Sequence, residues 1–172
     1  MRTALLFALA AAALVGCRTM GEETQRATAA LKPLGKHKAF GEVTFDQVGN
    51  KVRVVAYVQG LQPDREHGFH IHEVGDCNSP DGMSTKGHFN PFGKPHGHPS
   101  TAERHAGDLP ALKADKSGRA KVDVELDQIT VAPGPASVVG RGLIVHADPD
   151  DYKTQPTGNA GARIACAVIQ RS

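Results

Sequence analysis

Residues 42–58 read EVTFDQVGNKVRVVAYV, and this stretch decides the fold class. On each side of Gly49-Asn50, hydrophobic residues alternate with polar ones, which is the period of a β-strand with one buried face. A Gly-Asn pair between two such runs is typical of a tight turn. The stretch therefore predicts a β-hairpin that packs one apolar face against a core.

Alternating or short apolar runs of strand length return further along the chain, at residues 69–73, 121–126, 143–146 and 164–169. No pattern of an amphipathic helix of ten or more residues accompanies them. Two stretches lack periodicity, one from residue 75 to about 120 and one over residues 147–162. Irregular stretches of this length inside a compact domain are uncommon unless they are functional or disordered. The pattern predicts an all-β domain with two long functional loops.

Composition narrows the function. The chain has 172 residues, which suits one domain, and a formal net charge of +2. No Lys/Arg block appears, so nucleic-acid binding is not indicated. The chain has nine histidines, and seven of them lie within residues 67–105. That concentration points to chemistry based on imidazole.

The N-terminus has the features of an export signal. Arg2 precedes an apolar run over residues 4–15, which is too short for a membrane span but fits a signal-peptide core. Residues 14–17, LVGC, resemble a bacterial lipobox, and the alternative is an ordinary signal peptide followed by an incidental cysteine. We predict a signal peptide over residues 1–16, a lipidated Cys17 with a flexible tether over 17–38, and the folded domain over 39–172.

The predicted lipid anchor would attach the chain to a membrane, so a membrane is the first partner that we expect. Arg18 follows the lipobox cysteine, where an aspartate is associated with inner-membrane retention. We therefore expect a periplasmic, envelope-bound protein, with the outer membrane preferred. In an exported protein Cys77 and Cys166 would be left as a single disulfide, and the alternative is two free thiols.

Seven side chains have the pattern of a metal centre. His70 and His72 lie two apart on a predicted strand, so both project from the same face. Imidazole suits copper and zinc, and a carboxylate beside imidazoles without a thiolate fits zinc. Six histidines and one aspartate are too many for one tetrahedral site, but they suit two sites that share a ring. The seven candidates are His70, His72, His88, His96, His105, Asp108 and His146.

Five segments together resemble the copper–zinc superoxide dismutases, in the exported lipoprotein form found in bacteria. They are GFHIHE (68–73), GHFNP (87–91), RHAGDL (104–109), GRGLIVH (140–146) and GNAGARIAC (158–166). The resemblance implies an immunoglobulin-like, Greek-key β-sandwich or flattened barrel. It also implies conversion of superoxide to O₂ and H₂O₂ with copper and zinc as cofactors. The expected role is protection of the envelope against extracytoplasmic superoxide.

The resemblance also assigns roles to residues. Copper would be bound by His70, His72, His88 and His146, and zinc by His88, His96, His105 and Asp108. His88 would bridge the metals and act in catalysis. Arg163 would guide the anion, and Asp150 would link one ring of each site. Cys77 and Cys166 would form the disulfide.

Several alternatives stay open at this point. Asp150 could be a solvated loop acid and Arg163 a loop-bracing arginine, while His98 could compete with His96 for zinc. His37 and His67 are predicted to be solvated, and Lys153 either steers substrate or is a plain surface lysine. A metal-binding module without turnover and a structural sandwich with incidental histidines are the rival functions. The family contains dimers and monomers, so the resemblance allows a homodimer without requiring one.

Overall fold

A computed structural model describes residues 25–172. The predicted signal peptide over residues 1–16 and the lipobox cysteine Cys17 lie outside this range. Residues 25–172 contain no α-helix, and their one helical segment is a short 3₁₀ turn at Met83–Thr85. No helix in this range is long and apolar enough to cross a membrane. The strands are β1 (Arg26–Pro33), β2 (Phe40–Val48), β3 (Lys51–Gln59), β4 (Glu66–His67), β5 (Phe69–His72), β6 (Leu112–Lys113), β7 (Ala120–Leu126), β8 (Gly142–His146), β9 (Arg163–Val168) and β10 (Gln170–Arg171).

The predicted hairpin is confirmed as β2 and β3. The two strands pair antiparallel from Phe40 opposite Gln59 to Val48 opposite Lys51. Gly49 occupies the turn with φ +57°, a conformation that favours glycine. The inward residues of the alternation, such as Phe45 and Val54, are completely buried.

The main sheet is antiparallel and curled around one core. Its strand order is β5-β8-β9-β1-β2-β3-β7, with β10 also paired to β1. Strand β1 joins the two halves, because its first part pairs with β2 and its last two residues pair with β9. The chain crosses between the halves from β3 to β5, from β5 to β7 and from β7 to β8, as expected of a Greek-key arrangement. The prediction of an all-β sandwich is confirmed.

Strand β1 corrects the predicted domain boundary. The tether predicted for residues 17–38 is wrong from Arg26 onward, because Arg26–Pro33 is a paired strand. Ala27, Ala29 and Leu31 alternate into the core and are at most 3% exposed. Alanine is a weak strand former, so an alternation built largely from alanine gives little signal in the sequence. The folded part therefore begins before Ala39.

The first long loop, between β5 and β6, runs along the free edge of β5. The backbone N–H of Phe89 donates to the carbonyl of Ile71 at 2.8 Å, and that of Ile71 donates to the carbonyl of Gly107 at 2.9 Å. A side chain at Gly107 would meet the Ile71 carbonyl at 2.3 Å, so only glycine allows this approach. The loop is also joined to β9 by a disulfide between Cys77 and Cys166. Two free thiols are thereby excluded.

Candidate metal centre

Backbone pairing at the β5 edge positions the first histidines. His72 lies opposite His88 and His70 opposite Asp108 in isolated antiparallel bridges. His146 comes from the end of β8. This strand pairs with the edge of β5 that faces away from the long loop. Residues far apart in sequence therefore meet at one buried place. Their side chains are all at most 5% exposed.

Four rings form the first group, made of His70, His72, His88 and His146. One nitrogen from each of them lies within 4.8 Å of the others. Each ring also has one nitrogen engaged elsewhere: the Nδ1 of His72 lies 2.8 Å from the Lys86 carbonyl, and the Nδ1 of His146 lies 3.2 Å from the Gly161 carbonyl. These contacts require an N–H on the engaged nitrogen and leave a lone pair on the other.

The remaining nitrogens of this group have no hydrogen-bond partner within residues 25–172. They are the Nδ1 of His70 and the Nε2 of His72, His88 and His146, all buried. Leaving one buried polar atom unpaired costs about 1–3 kcal/mol. Four such atoms that converge in one place are costly unless a cation binds their lone pairs. The donor set therefore fits a metal held by imidazoles.

Burial keeps these rings in the form that binds metal. It lowers the pKa of His72 and of His146 well below 6.5, and neighbouring histidines add to the effect. Burial, with the nearby His70, lowers the pKa of His88 to about 3. Neutral imidazole is the metal-binding form. The three rings are therefore neutral at physiological pH.

The second group consists of His88, His96, His105 and Asp108. The Oδ1 of Asp108 lies 3.0 Å from the Nδ1 of His88, 3.0 Å from that of His96 and 3.5 Å from that of His105. A tetrahedron with metal–ligand distances of about 2.0–2.1 Å has edges of about 3.3–3.4 Å. The spacing thus suits a four-coordinate ion such as zinc. His88 belongs to both groups, with Nδ1 in this one and Nε2 in the other.

Backbone N–H groups orient the carboxylate of Asp108. Its Oδ2 accepts the N–H groups of Gly97 at 3.1 Å and His105 at 2.9 Å, which leaves Oδ1 facing the three rings. Burial alone would raise the pKa of Asp108, but contacts with the three histidines hold it below its usual range. The carboxylate therefore stays ionised and supplies negative charge to the second group.

Asp150 connects the two groups from the second long loop. Its Oδ2 lies 2.7 Å from the Nε2 of His70, and its Oδ1 lies 2.9 Å from the Nε2 of His96. Asp150 is 6% exposed, so the alternative of a solvated loop acid is excluded. Gly158 makes room for it, because a side chain there would meet the Asp150 Oδ1 at 1.8 Å. One carboxylate thus orients a ring of each group.

Replacing Asp150 with asparagine is expected to weaken metal binding at both groups by about 10–100-fold, the usual effect of losing a partner that orients a ligand. The amide has one acceptor oxygen, so its NH₂ would face the N–H of His70 or His96. Chelator-competition titration measures both affinities. Asp148→Asn is the matched control, since the Asp148 side chain is 51% exposed. Equal affinities in the two variants would contradict the linking role.

Arg163 lies between the first long loop and the first group. Its guanidinium donates to the carbonyls of Gly82 and Lys86, both at 2.6 Å, and to the Thr85 hydroxyl at 2.8 Å. Within residues 25–172 no carboxylate forms an ion pair with it. It is half-buried and lines a cavity with His72, His88 and His146. It therefore braces the loop and also leaves its positive charge available to an anion.

The other histidines and Lys153 have distinct positions. The prediction that His67 is solvated is wrong, since it is 2% exposed and its Nδ1 lies 2.8 Å from the His146 carbonyl. No local signal could have revealed this, because the partner is 79 positions away. His98 is exposed and belongs to neither group, and His37 is exposed at the cavity rim. Lys153 lines a different pocket, with Tyr152 and Gln155.

A family model and curated relatives name the same family, and a solved structure shares the fold. Residues 39–169 match the family model described as copper/zinc superoxide dismutase (SODC). The superoxide dismutase [Cu-Zn] of Paramecium bursaria Chlorella virus 1 is 44% identical over 136 residues, 75% of this chain and 71% of the relative. Superoxide dismutase [Cu-Zn] 1 of Aquifex aeolicus (strain VF5) is 40% identical over 139 residues, 78% and 82% of the two chains. The crystal structure of the clock protein EA4 aligns with a TM-score of 0.77 and 42% identity, over 86% of this chain and 94% of that one.

Proposed function

The chain belongs to the copper/zinc superoxide dismutase family, and from that premise we propose which of its residues hold each metal. Copper is bound by the Nδ1 of His70 and the Nε2 of His72, His88 and His146. Zinc is bound by the Nδ1 of His88, His96 and His105 and the Oδ1 of Asp108. The single observation that carries this assignment is the convergence of four unpartnered buried nitrogens beside a tetrahedral donor set that shares His88.

The protein is a superoxide dismutase that uses copper and zinc. Bound copper supplies the one-electron couple that oxidises one superoxide to O₂ and reduces a second, while zinc is redox-inert. The Nε2 of His88 is buried in the four-histidine group beside the cavity, and Nδ1 faces the second group. Because one lone pair cannot hold a metal ion and a proton at once, we propose that His88 takes up and delivers a proton at Nε2 only while that nitrogen is not bound to copper. Arg163 holds the anion beside His88, because no carboxylate in residues 25–172 forms an ion pair with its guanidinium.

The assignment is tested by reconstituting the metal-free protein and measuring metal content, anomalous scattering at each site and superoxide removal. We expect one copper and one zinc per chain, copper at the four-histidine group and rapid turnover. Zinc in both groups, or copper in the group that contains Asp108, would contradict the assignment. Full loading with negligible turnover would instead support the rival metal-binding module.

We further propose that the chain is an exported bacterial lipoprotein, anchored through Cys17 and facing the periplasm from the outer membrane. The support comes from the lipobox at residues 14–17 and from the disulfide, which persists in oxidising compartments. In that location the enzyme protects the envelope against superoxide formed outside the cytoplasm.

Lipidation at Cys17 is tested by growing cells with a clickable fatty-acid analogue. We expect the wild-type chain to take up the label and to fractionate with the membrane. Cys17→Ser should abolish both properties, because that thiol is the proposed acylation site, while the Cys77–Cys166 disulfide still forms. A wild-type chain without label, or a labelled Cys17→Ser variant, would contradict the proposal.

A homodimer stays a prediction. Sedimentation velocity over a range of micromolar concentrations tests it. A mass that stays at one chain, 18.1 kDa for all 172 residues, would exclude it in that range.

A further inference from the structure

A cavity of about 740 Å³ opens over the proposed copper ligands His72, His88 and His146. The charged side chains that line it are Lys36, Asp81 and Arg163. These three side chains give two positive charges and one negative charge, a balance of +1. Without Lys36 the balance is zero. Lys36 therefore supplies the excess positive side-chain charge at the rim.

Lys36 is held at this rim by its neighbours in the chain. Pro33, at the end of β1, pairs with Ala165 of β9, and the next N–H, that of Leu34, donates to the Ile164 carbonyl at 3.0 Å. The Leu34 side chain is buried in a small cluster with the disulfide. The turn that carries Lys36 is thus fixed against β9 on one side and the Cys77 loop on the other.

The turn itself is tight. The N–H of His37 donates to the Leu34 carbonyl at 3.0 Å, and Gly35 between them has φ +53°. Lys36 is exposed, and within residues 25–172 no carboxylate forms an ion pair with it. A lysine that has no carboxylate partner and stands on a fixed backbone keeps its charge within side-chain reach of the rim.

We propose that Lys36 steers the superoxide anion into the cavity. Superoxide dismutases are known to work near the diffusional ceiling, so attraction before contact raises the rate. Lys153, the lysine that the sequence suggested for steering, lines another pocket. The role is given instead to a residue of the segment that the sequence assigned to a tether. This inference rests on the proposed placement of copper beside the cavity.

The test compares Lys36→Glu with Lys38→Glu in the copper–zinc enzyme. The two variants change the net charge equally, and Lys38 is exposed two residues away without lining the cavity. At low ionic strength we expect Lys36→Glu to lower kcat/KM about threefold and Lys38→Glu to change it by less than about 1.5-fold. At about 0.5 M salt the difference should disappear, because the screening length is then only a few ångströms.

A second readout is azide binding to the oxidised enzyme, followed by visible absorption. We expect azide affinity to fall about threefold in Lys36→Glu, to stay unchanged in Lys38→Glu, and to return in Lys36→Arg. Equal rates in the two glutamate variants at low salt would overturn the proposal, as would a loss in Lys36→Glu that persists at high salt. A wild-type chain that binds no copper would instead reject the metal assignment, so the two failures are distinguishable.

Discussion

Superoxide removal is expected to fall at least about 100-fold when His70 is replaced by glutamine, while the protein still folds. The change removes the Nδ1 lone pair proposed to bind copper and the N–H that faces Asp150. Losing a partner that only orients a ligand typically costs 10–100-fold, and His70 is proposed as a ligand itself. Strand β5 keeps its backbone pairing with β8, so the sheet is preserved. Activity per chain and copper content are the quantities to measure.

The control for this prediction is His98→Gln, which changes an exposed histidine outside both groups. That variant should keep full activity and full copper. A His70→Gln enzyme with wild-type activity would reject His70 as a ligand. Loss of activity with copper still bound at wild-type affinity would also contradict the assignment, because it would show that His70 does not contribute to copper binding.

Removing the disulfide is expected to have the largest effect on stability. Cys77 and Cys166 are 89 positions apart, and on the chain-entropy model a closed loop of that length contributes about 4–5 kcal/mol to the free energy of unfolding. A double Cys77→Ser, Cys166→Ser variant should therefore unfold about 10–15 °C lower. Calorimetry of the metal-free protein measures this without the added effect of metal binding.

The same variant should lose activity for a separate reason. Lys86, in the loop that the disulfide secures, offers its carbonyl to both Arg163 and His72. A reductant provides the matched control, since it should lower the Tm of the wild-type protein to that of the double variant and leave the variant unchanged. Equal Tm values for oxidised wild type and double variant would contradict the prediction.

The fold could be predicted where large apolar side chains alternate. The β2–β3 hairpin was predicted this way, because Val and Phe on one face and charged residues on the other leave only one register that buries the core. Strand β1 was missed because its inward residues are largely alanine. Alternation of small side chains is a weak signal, and the end of the strand is held by pairing with β9 across more than 130 positions.

The residues that form the site could be predicted from the sequence, but their arrangement in space could not. Histidine spacing and the five motifs identified all seven residues that the structure collects into its two groups. The buried position of His67 and the place of Lys36 at the cavity rim have no local signature. Both depend on contacts between segments that meet only in the folded chain, and the Lys36 turn is positioned by β9 and the disulfide.

The early start of β1 has a consequence for where the enzyme would work. From Cys17 to Arg26 there are nine residues, and a chain of that length reaches at most about 30 Å even when fully extended. A lipid on Cys17 would therefore confine the folded unit to a thin layer next to the bilayer, roughly one protein diameter deep. Radicals produced at that membrane surface would be removed before those generated deeper in the compartment.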